Sequence, residues 1–153
     1  VITGDLDRFF NFKPGFYCVI ENWTQIGQNI GNTSCFKFPV GKYNSIFEKF
    51  EKNPEKYWKK YHIEQIYLSD QIKEQFFWPT EWCQSFKHNL LPNWPFRIWQ
   101  PAKLPRGTSI VAFTGKPDPH DVINGKWPVK KFQIYKKLYK QFKTPQWVLD
   151  NWI

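Results

Sequence analysis

The chain has 153 residues and a formal net charge of +9, with 41% hydrophobic and 20% aromatic residues. That length suits one domain or part of one, with ample material for a core. No apolar run is long enough to span a membrane, and no signal peptide is visible. Cys18, Cys35 and Cys83 are odd in number and widely spaced. That spacing excludes a disulfide framework or zinc motif and suits free thiols in a reducing compartment. The positive charge favours an anionic partner: nucleic acid, a membrane surface or a phosphorylated small molecule. Lysines interleave with Phe, Tyr and Trp, but no zinc-finger, aromatic RNA-recognition or Gly-x-x-Gly clamp pattern accompanies them, which argues against nucleic acid.

In chain order, Val1-Ile2-Thr3-Gly4 reads as the end of a strand. Methionine is absent even at position 1, which suggests the N-terminal part of a longer protein upstream. Asp5 would cap a short helical turn through Phe10. Phe16–Ile20 is a strand, 25–32 a Gly-rich loop, and Thr33–Phe38 a second, alternating strand. Asn44–Lys52 is amphipathic, with Ile46, Phe47 and Phe50 on one face. Asn53-Pro54 breaks it and opens a second helix through Tyr61. Ser69 would cap a short helix over 72–76, with Asp70 and Gln71 in its first turn. The proline-rich stretch 93–107 reads as an irregular loop, and Thr108–Phe113 as a third strand. That strand runs into Gly115-Lys116-Pro117, a turn at its tip, with His120 in the loop beyond.

From Val129 to Phe142, Phe132, Tyr135, Leu138, Tyr139 and Phe142 recur at helical spacing. Thr144-Pro145 is a cap followed by a proline at the first helical position of a last short helix. The expected fold class is α/β: a partial mixed sheet with packed helices and a helical C-terminal tail. The divisions expected are 1–125 for the main domain and 126–153 for the tail.

Candidate chemistry gathers at four places. A loop at a strand tip is where α/β folds place ligands. There Gly115 permits close approach, and Lys116 offers a point charge for a phosphate. Asp70 and Gln71 offer a carboxylate and an amide; Asn32 could bond a sugar hydroxyl, and Trp78 and Trp82 could present apolar platforms. Each has a structural alternative: a solvated lysine, a helix cap, a turn, and core aromatics. His62 and His88 have no context for a catalytic pair. No Gly-x-Ser-x-Gly elbow, Walker loop, dinucleotide fingerprint or His-Glu-x-x-His is present.

Taken in order, four segments resemble the C-terminal part of a GT-A-type nucleotide-sugar glycosyltransferase, family-8-like and related bacterial enzymes. They are Val-Ile-Thr-Gly-Asp-Leu-Asp-Arg-Phe-Phe at 1–10, Asn-Thr-Ser-Cys-Phe-Lys-Phe at 32–38, Tyr-Leu-Ser-Asp-Gln at 67–71, and Ile-Val-Ala-Phe-Thr-Gly-Lys-Pro at 110–117. Trp78-Pro79-x-x-Trp82 adds to the set. The resemblance covers residues 1 to about 125. It implies transfer of a sugar from a nucleotide-diphosphate donor to a glycan or lipid-linked acceptor, in polysaccharide biosynthesis. Asp70 and Gln71 would be catalytic, with Asp70 a candidate base for an inverting enzyme. Asn32, Ser34, Trp78, Trp82, Gly115 and Lys116 would hold donor and sugar.

The resemblance also implies a divalent cation, Mn or Mg, whose ligands are not evident here. The family's Asp-x-Asp would lie just before residue 1, and Ala112 and Thr114 stand where a metal-binding His is expected. Asp5 and Asp7 share the spacing but sit one element late, as a cap and a turn. The implied location is cytoplasmic, at the inner face of a membrane, with peripheral association. Two alternatives stand beside this reading: a catalytically degenerate remnant that binds sugar or protein, and a basic polyanion-binding module.

Overall fold

A computed structural model describes residues 1–152. The fold is mixed α/β, with helices and two small sheets. The chain divides into two units, one formed by Asp5–Thr80 and one by Val1–Gly4 together with the chain from Glu81 onward.

In the Asp5–Thr80 unit, a three-stranded sheet has β1 (Tyr17–Glu21) at its centre. β2 (Gly31–Lys37) pairs with it antiparallel and β3 (Gln75–Phe77) pairs parallel. Central placement explains the composition of β1: Tyr17, Cys18, Val19 and Ile20 are all buried. The β1–β2 register jumps between Val19, opposite Phe36, and Ile20, opposite Asn32. This bulge leaves Ser34 exposed in its middle. An added Cβ at Gly31 would stand 2.6 and 2.9 Å from the two Val19 methyls, so any side chain there forces the surrounding packing to shift.

The first helix, α1 (Asp7–Asn11), starts later than the Asp5 cap predicts. The Asp5 carboxylate instead accepts from the Asp7 N–H at 3.1 Å, an Asx turn before the helix. Helices α2 (Asn44–Lys52) and α3 (Pro54–Tyr61) have the predicted bounds, with Pro54 in the first turn of α3. Ile46, Tyr61, Tyr67 and Ile72 join Tyr17 and Val19 in the core of this unit.

The predicted helix over 72–76 is not formed. Instead α4 spans Glu64–Gln71, so Ser69, Asp70 and Gln71 close a helix rather than open one. The chain turns extended at Ile72, and β3 follows in its place. Tyr67 anchors α4 by donating its hydroxyl to the Ile46 carbonyl at 2.7 Å. Pairing of Gln75–Phe77 with β1 outweighs the local cap signal of a single serine.

In the second unit, β4 (Cys83–Ser85) and β5 (Ile110–Ala112) pair parallel. Val1–Gly4 lies antiparallel to β5, with a bridge from Ile2 to Ile110 and a Thr3 N–H to Ser109 C=O bond of 2.8 Å. Phe86, Leu90, Ala102, Val111, Val122, Phe142 and Val148 form the core. Two of these, Phe142 and Val148, come from the predicted tail.

Helix α5 (Pro119–Ile123) falls where a loop was expected, so His120 is helical. The reason is a reciprocal cap: the Asp118 and Asp121 carboxylates each accept the other's backbone N–H. The regular helix predicted over 129–142 is replaced by 3₁₀ turns over Lys131–Leu138, broken at Gln133 (φ −118°, ψ 32°). Its apolar positions find no buried face: Phe132, Ile134, Tyr135 and Leu138 are 61–76% exposed. In α6 (Gln146–Asn151) the start shifts by one residue, with Pro145 in the extended cap position. Thr144 instead donates its hydroxyl to the Val122 carbonyl at 2.9 Å.

Candidate functional site

The sequence-predicted site residues divide between the units. Asn32, Ser34, Asp70, Gln71 and Trp78 lie in the Asp5–Thr80 unit; Trp82, Gly115 and Lys116 lie in the other.

In the first group, α4 is tied to the strand ends by three side-chain hydrogen bonds. Asn22 donates to Gln65 at 3.0 Å, Thr33 donates to Glu64 at 3.0 Å, and the Gly31 N–H donates to Ser69 Oγ at 3.0 Å. The last joins residues 38 apart and brings the Asp-Gln segment against the Asn segment. Asn32 is buried, and its Oδ1 accepts the Ser34 N–H at 3.0 Å, which shapes the bulge.

Asp70 sits at the end of α4, where the helix dipole opposes a negative charge. Three neighbours reverse that. The Tyr61 hydroxyl donates to Oδ2 of Asp70, Lys73 donates to Oδ1 at 2.9 Å, and Lys60 stands 3.7 Å from Oδ2. The Tyr61 hydrogen bond, with Lys73 next, holds the Asp70 carboxyl down at about 2. Gln71 Nε2 approaches the same oxygen at 3.2 Å. The Asp70 side chain keeps 39% exposure, so this ionised carboxylate remains open to a ligand. Lys73, three residues on, was visible in sequence; Tyr61 and Lys60 arrive from the preceding helix and carried no signal.

Trp78 is only 4% exposed and packs edge-on against Phe9 at 4.9 Å, so its ring is a core aromatic. Trp82 is half-buried, and its carbonyl accepts from the Ser109 and Ile110 N–H groups at 3.0 and 3.1 Å.

Gly115 takes φ +69° with open space where a Cβ would be. That left-handed turn favours glycine and leaves the backbone approachable. The Lys116 ammonium is not a free cation. It hydrogen-bonds Asp118 and lies 2.9 Å from Asp121, the carboxylates that cap α5. Asp118 first, then Asp121, raise the Lys116 pKa, and Lys116 in turn lowers that of Asp118.

Among the described residues no three His, Cys, Asp or Glu side chains group closely enough to hold a metal ion. Asp118 and Asp121 are committed to Lys116 and to the helix cap, and Ala112 and Thr114 offer no metal ligand of the expected kind. The described residues therefore do not fit a divalent-ion site. Among the described residues Cys18, Cys35 and Cys83 form no disulfide, and no described helix is long and apolar enough to cross a membrane.

Comparison with protein-family models, with curated proteins and with solved structures finds no match for this chain.

Proposed function

We propose that this chain is part of a GT-A-type glycosyltransferase that moves a sugar from a nucleotide-diphosphate donor to a glycan or lipid-linked acceptor. One observation carries the reading. The Ser69-Asp70-Gln71 segment is bonded to Gly31-Asn32 across 38 residues, with an ionised, partly exposed carboxylate beside the junction.

Departure of a nucleoside diphosphate leaves oxocarbenium-like charge on the sugar. A carboxylate that stays ionised suits that charge electrostatically. The same ionisation makes Asp70 a weak base near neutral pH, so its role here is charge stabilisation rather than proton removal. Gln71 shares the Asp70 oxygen and fixes its orientation. Gly115 leaves room for a diphosphate. Lys116 would meet it only by exchanging Asp118 or Asp121 for phosphate oxygens, a swap of one anion for another around the same ammonium. The implied divalent ion is assigned no ligand in this chain.

The full-length encoded protein, assayed for nucleoside-diphosphate release from a panel of nucleotide sugars with and without Mn²⁺, tests this reading. Asp70→Asn should lower turnover about 10²- to 10³-fold, the range for losing one preorganised electrostatic group. Lys116→Ala should weaken donor binding. Unchanged turnover in both variants would remove the site assignment. Sugar binding without turnover by the unaltered protein would favour the degenerate remnant.

The proposed setting is cytoplasmic, at an anionic membrane face. Lys126, Lys130, Lys131, Lys136, Lys137, Lys140 and Lys143 fall in a stretch without an acidic residue. Burial and the neighbouring Lys136 and Lys87 lower the Lys140 pKa, a sign of crowded positive charge. Exposed Phe132, Ile134, Tyr135 and Leu138 beside them suit insertion at a lipid interface. Salt-sensitive sedimentation with phosphatidylglycerol vesicles, absent with phosphatidylcholine, is the expected result; binding to RNA alone would reverse the preference.

A further inference from the structure

The unit that runs from Glu81 onward exposes a second apolar feature, which the proposed chemistry does not use. Within the proline-rich stretch 93–107, Phe96–Ile98 forms a 3₁₀ turn. The turn is closed by its own backbone. The Arg97 N–H donates to the Asn93 carbonyl at 3.3 Å, Ile98 to Pro95 at 3.1 Å, and Gln100 to Phe96 at 2.8 Å. Its large side chains nevertheless stay in water: Trp94, Phe96 and Trp99 are 53, 52 and 53% exposed, and Ile98 is exposed as well. The Phe96 and Trp99 rings meet edge-on at 6.0 Å, so they form one aromatic cluster. A turn ordered in advance loses little further backbone freedom when a partner covers it.

The turn is joined to the lysine-rich segment. The Lys143 N–H donates to the Arg97 carbonyl at 2.8 Å, and the Arg97 guanidinium donates to the Tyr139 carbonyl. Arg97 and Lys140 both stand over the Trp127 ring, 5.1 and 5.4 Å from its centroid. The turn therefore adjoins the stretch that exposes Phe132, Ile134, Tyr135 and Leu138. Charge in this region has one sign. Between Trp82 and Asp150 the only carboxylates in the sequence are Asp118 and Asp121, and both are taken by Lys116. Arg97, Lys103 and Arg106 accompany the turn, and the lysines from Lys130 to Lys143 follow. A second copy of the chain would set like charge against like. A bilayer with anionic headgroups complements the charge and takes tryptophan at headgroup depth. It also takes aliphatic groups such as Ile98, Ile134 and Leu138 below that depth. A nucleic-acid strand would stack on the rings but offers the aliphatic groups no apolar phase.

We infer that the turn from Trp94 to Trp99 inserts into the interface of an anionic bilayer, with the lysines of 130–143 holding the adjoining segment against the headgroups. The inference rests on the membrane setting proposed above and adds the element that enters the lipid.

Tryptophan emission of the full-length protein, titrated with phosphatidylglycerol vesicles carrying brominated acyl chains, tests it. Emission should be quenched on binding. Trp94→Phe combined with Trp99→Phe should remove most of that quenching while the vesicles are still bound. Trp58→Phe, at an exposed position in the Asp5–Thr80 unit, should leave it unchanged. Trp94→Ala combined with Trp99→Ala should weaken partitioning about tenfold, as for partial burial of two rings. Lys131→Gln combined with Lys137→Gln should weaken it about thirtyfold at low salt, roughly fivefold for each lysine near an anionic surface. All these positions are exposed, so the urea midpoints should match that of the unaltered protein.

Vesicle binding without quenching, or quenching that survives loss of both tryptophans, would overturn the inference and leave the membrane setting standing. Absence of vesicle binding would overturn both, while nucleoside-diphosphate release reads the glycosyltransferase chemistry separately. Tighter binding to single-stranded RNA than to the vesicles at equal salt would assign the face to nucleic acid and overturn the inference equally.

Discussion

Asp70 and Lys116 are opposite solutions to the same pairing. At Asp70 one carboxylate is met by Lys60, Lys73 and the Tyr61 hydroxyl, so the cluster carries a surplus positive charge. At Lys116 one ammonium is met by Asp118 and Asp121, so the surplus is negative. Sequence alone marks Asp70 as an acid and Lys116 as a cation for an anion. The neighbours invert the local field in each case. The first cluster keeps its carboxylate ionised, so the positive charge it is proposed to stabilise on a sugar develops against the field of two lysines. The second must release a carboxylate before it takes a phosphate. A charged residue's role is thus set by the sum of charges around it, which short-range pairing dominates at physiological salt.

The comparison can be broken first by moving the scaffold behind Asp70. Gly31→Ala places a Cβ within 2.6 Å of a Val19 methyl, inside a packed sheet. It should cost about 1–3 kcal/mol, read as a lower urea midpoint. If β2 shifts to relieve the clash, the ionised state of Asp70 should shift with it. A smaller effect is expected from Ser69→Ala, which strips the Gly31 N–H of its side-chain acceptor. About 1 kcal/mol is the expected loss, and a midpoint identical to the unaltered protein would mean that water replaces the hydroxyl fully.

Next comes the pH dependence. The Asp70 pKa is lowered from 3.8 to about 2 in the folded chain, so the folded state favours its ionised form. That contribution is complete above the ordinary carboxylate range. It is lost as pH falls from about 4 through about 2, where the folded carboxylate protonates. Tyr61→Phe removes the largest cause, so the Asp70 titration followed by carboxyl NMR should move up toward 3.8 and the acid limb of stability should flatten. An unmoved titration would assign the depression to Lys73 and Lys60 alone.

The smallest effect is reserved for Lys116→Met. The pair is exposed and salt-screened, so the thermal midpoint should not move measurably. A clear fall would mean that Lys116 holds the cap of α5 together and is a structural cation.

Much of the secondary structure was legible because its causes are local. The Asn53-Pro54 break bounded α2 and α3, and the β-branched and aromatic runs marked β1, β2 and β5. The apolar repeat over 129–142 misled because periodicity states only that a face could be buried. Here only Phe142 found a core, among Phe86, Val111 and Val122, while Phe132, Ile134, Tyr135 and Leu138 stayed in water. The site was half legible. Asp70, Gln71 and Asn32 were named from sequence, and their segments do meet. Trp78 was offered as a platform, and its burial against Phe9 came from packing that no local pattern encodes.

The sequence by itself determined which residues carry charge, which runs are apolar, where proline and glycine interrupt them, and hence most of the elements. Only the tertiary structure decided that Ser69 bonds Gly31 instead of capping a helix, that Tyr61 lowers the Asp70 pKa, and that Asp118 and Asp121 neutralise Lys116. The first set depends on the covalent chain and its nearest turns. The Ser69–Gly31 and Tyr61–Asp70 bonds join groups 38 and 9 residues apart, whose spacing no period records. The Lys116 pairs are close in sequence, yet they form only because the Asp118–Asp121 cap folds both carboxylates back onto one ammonium.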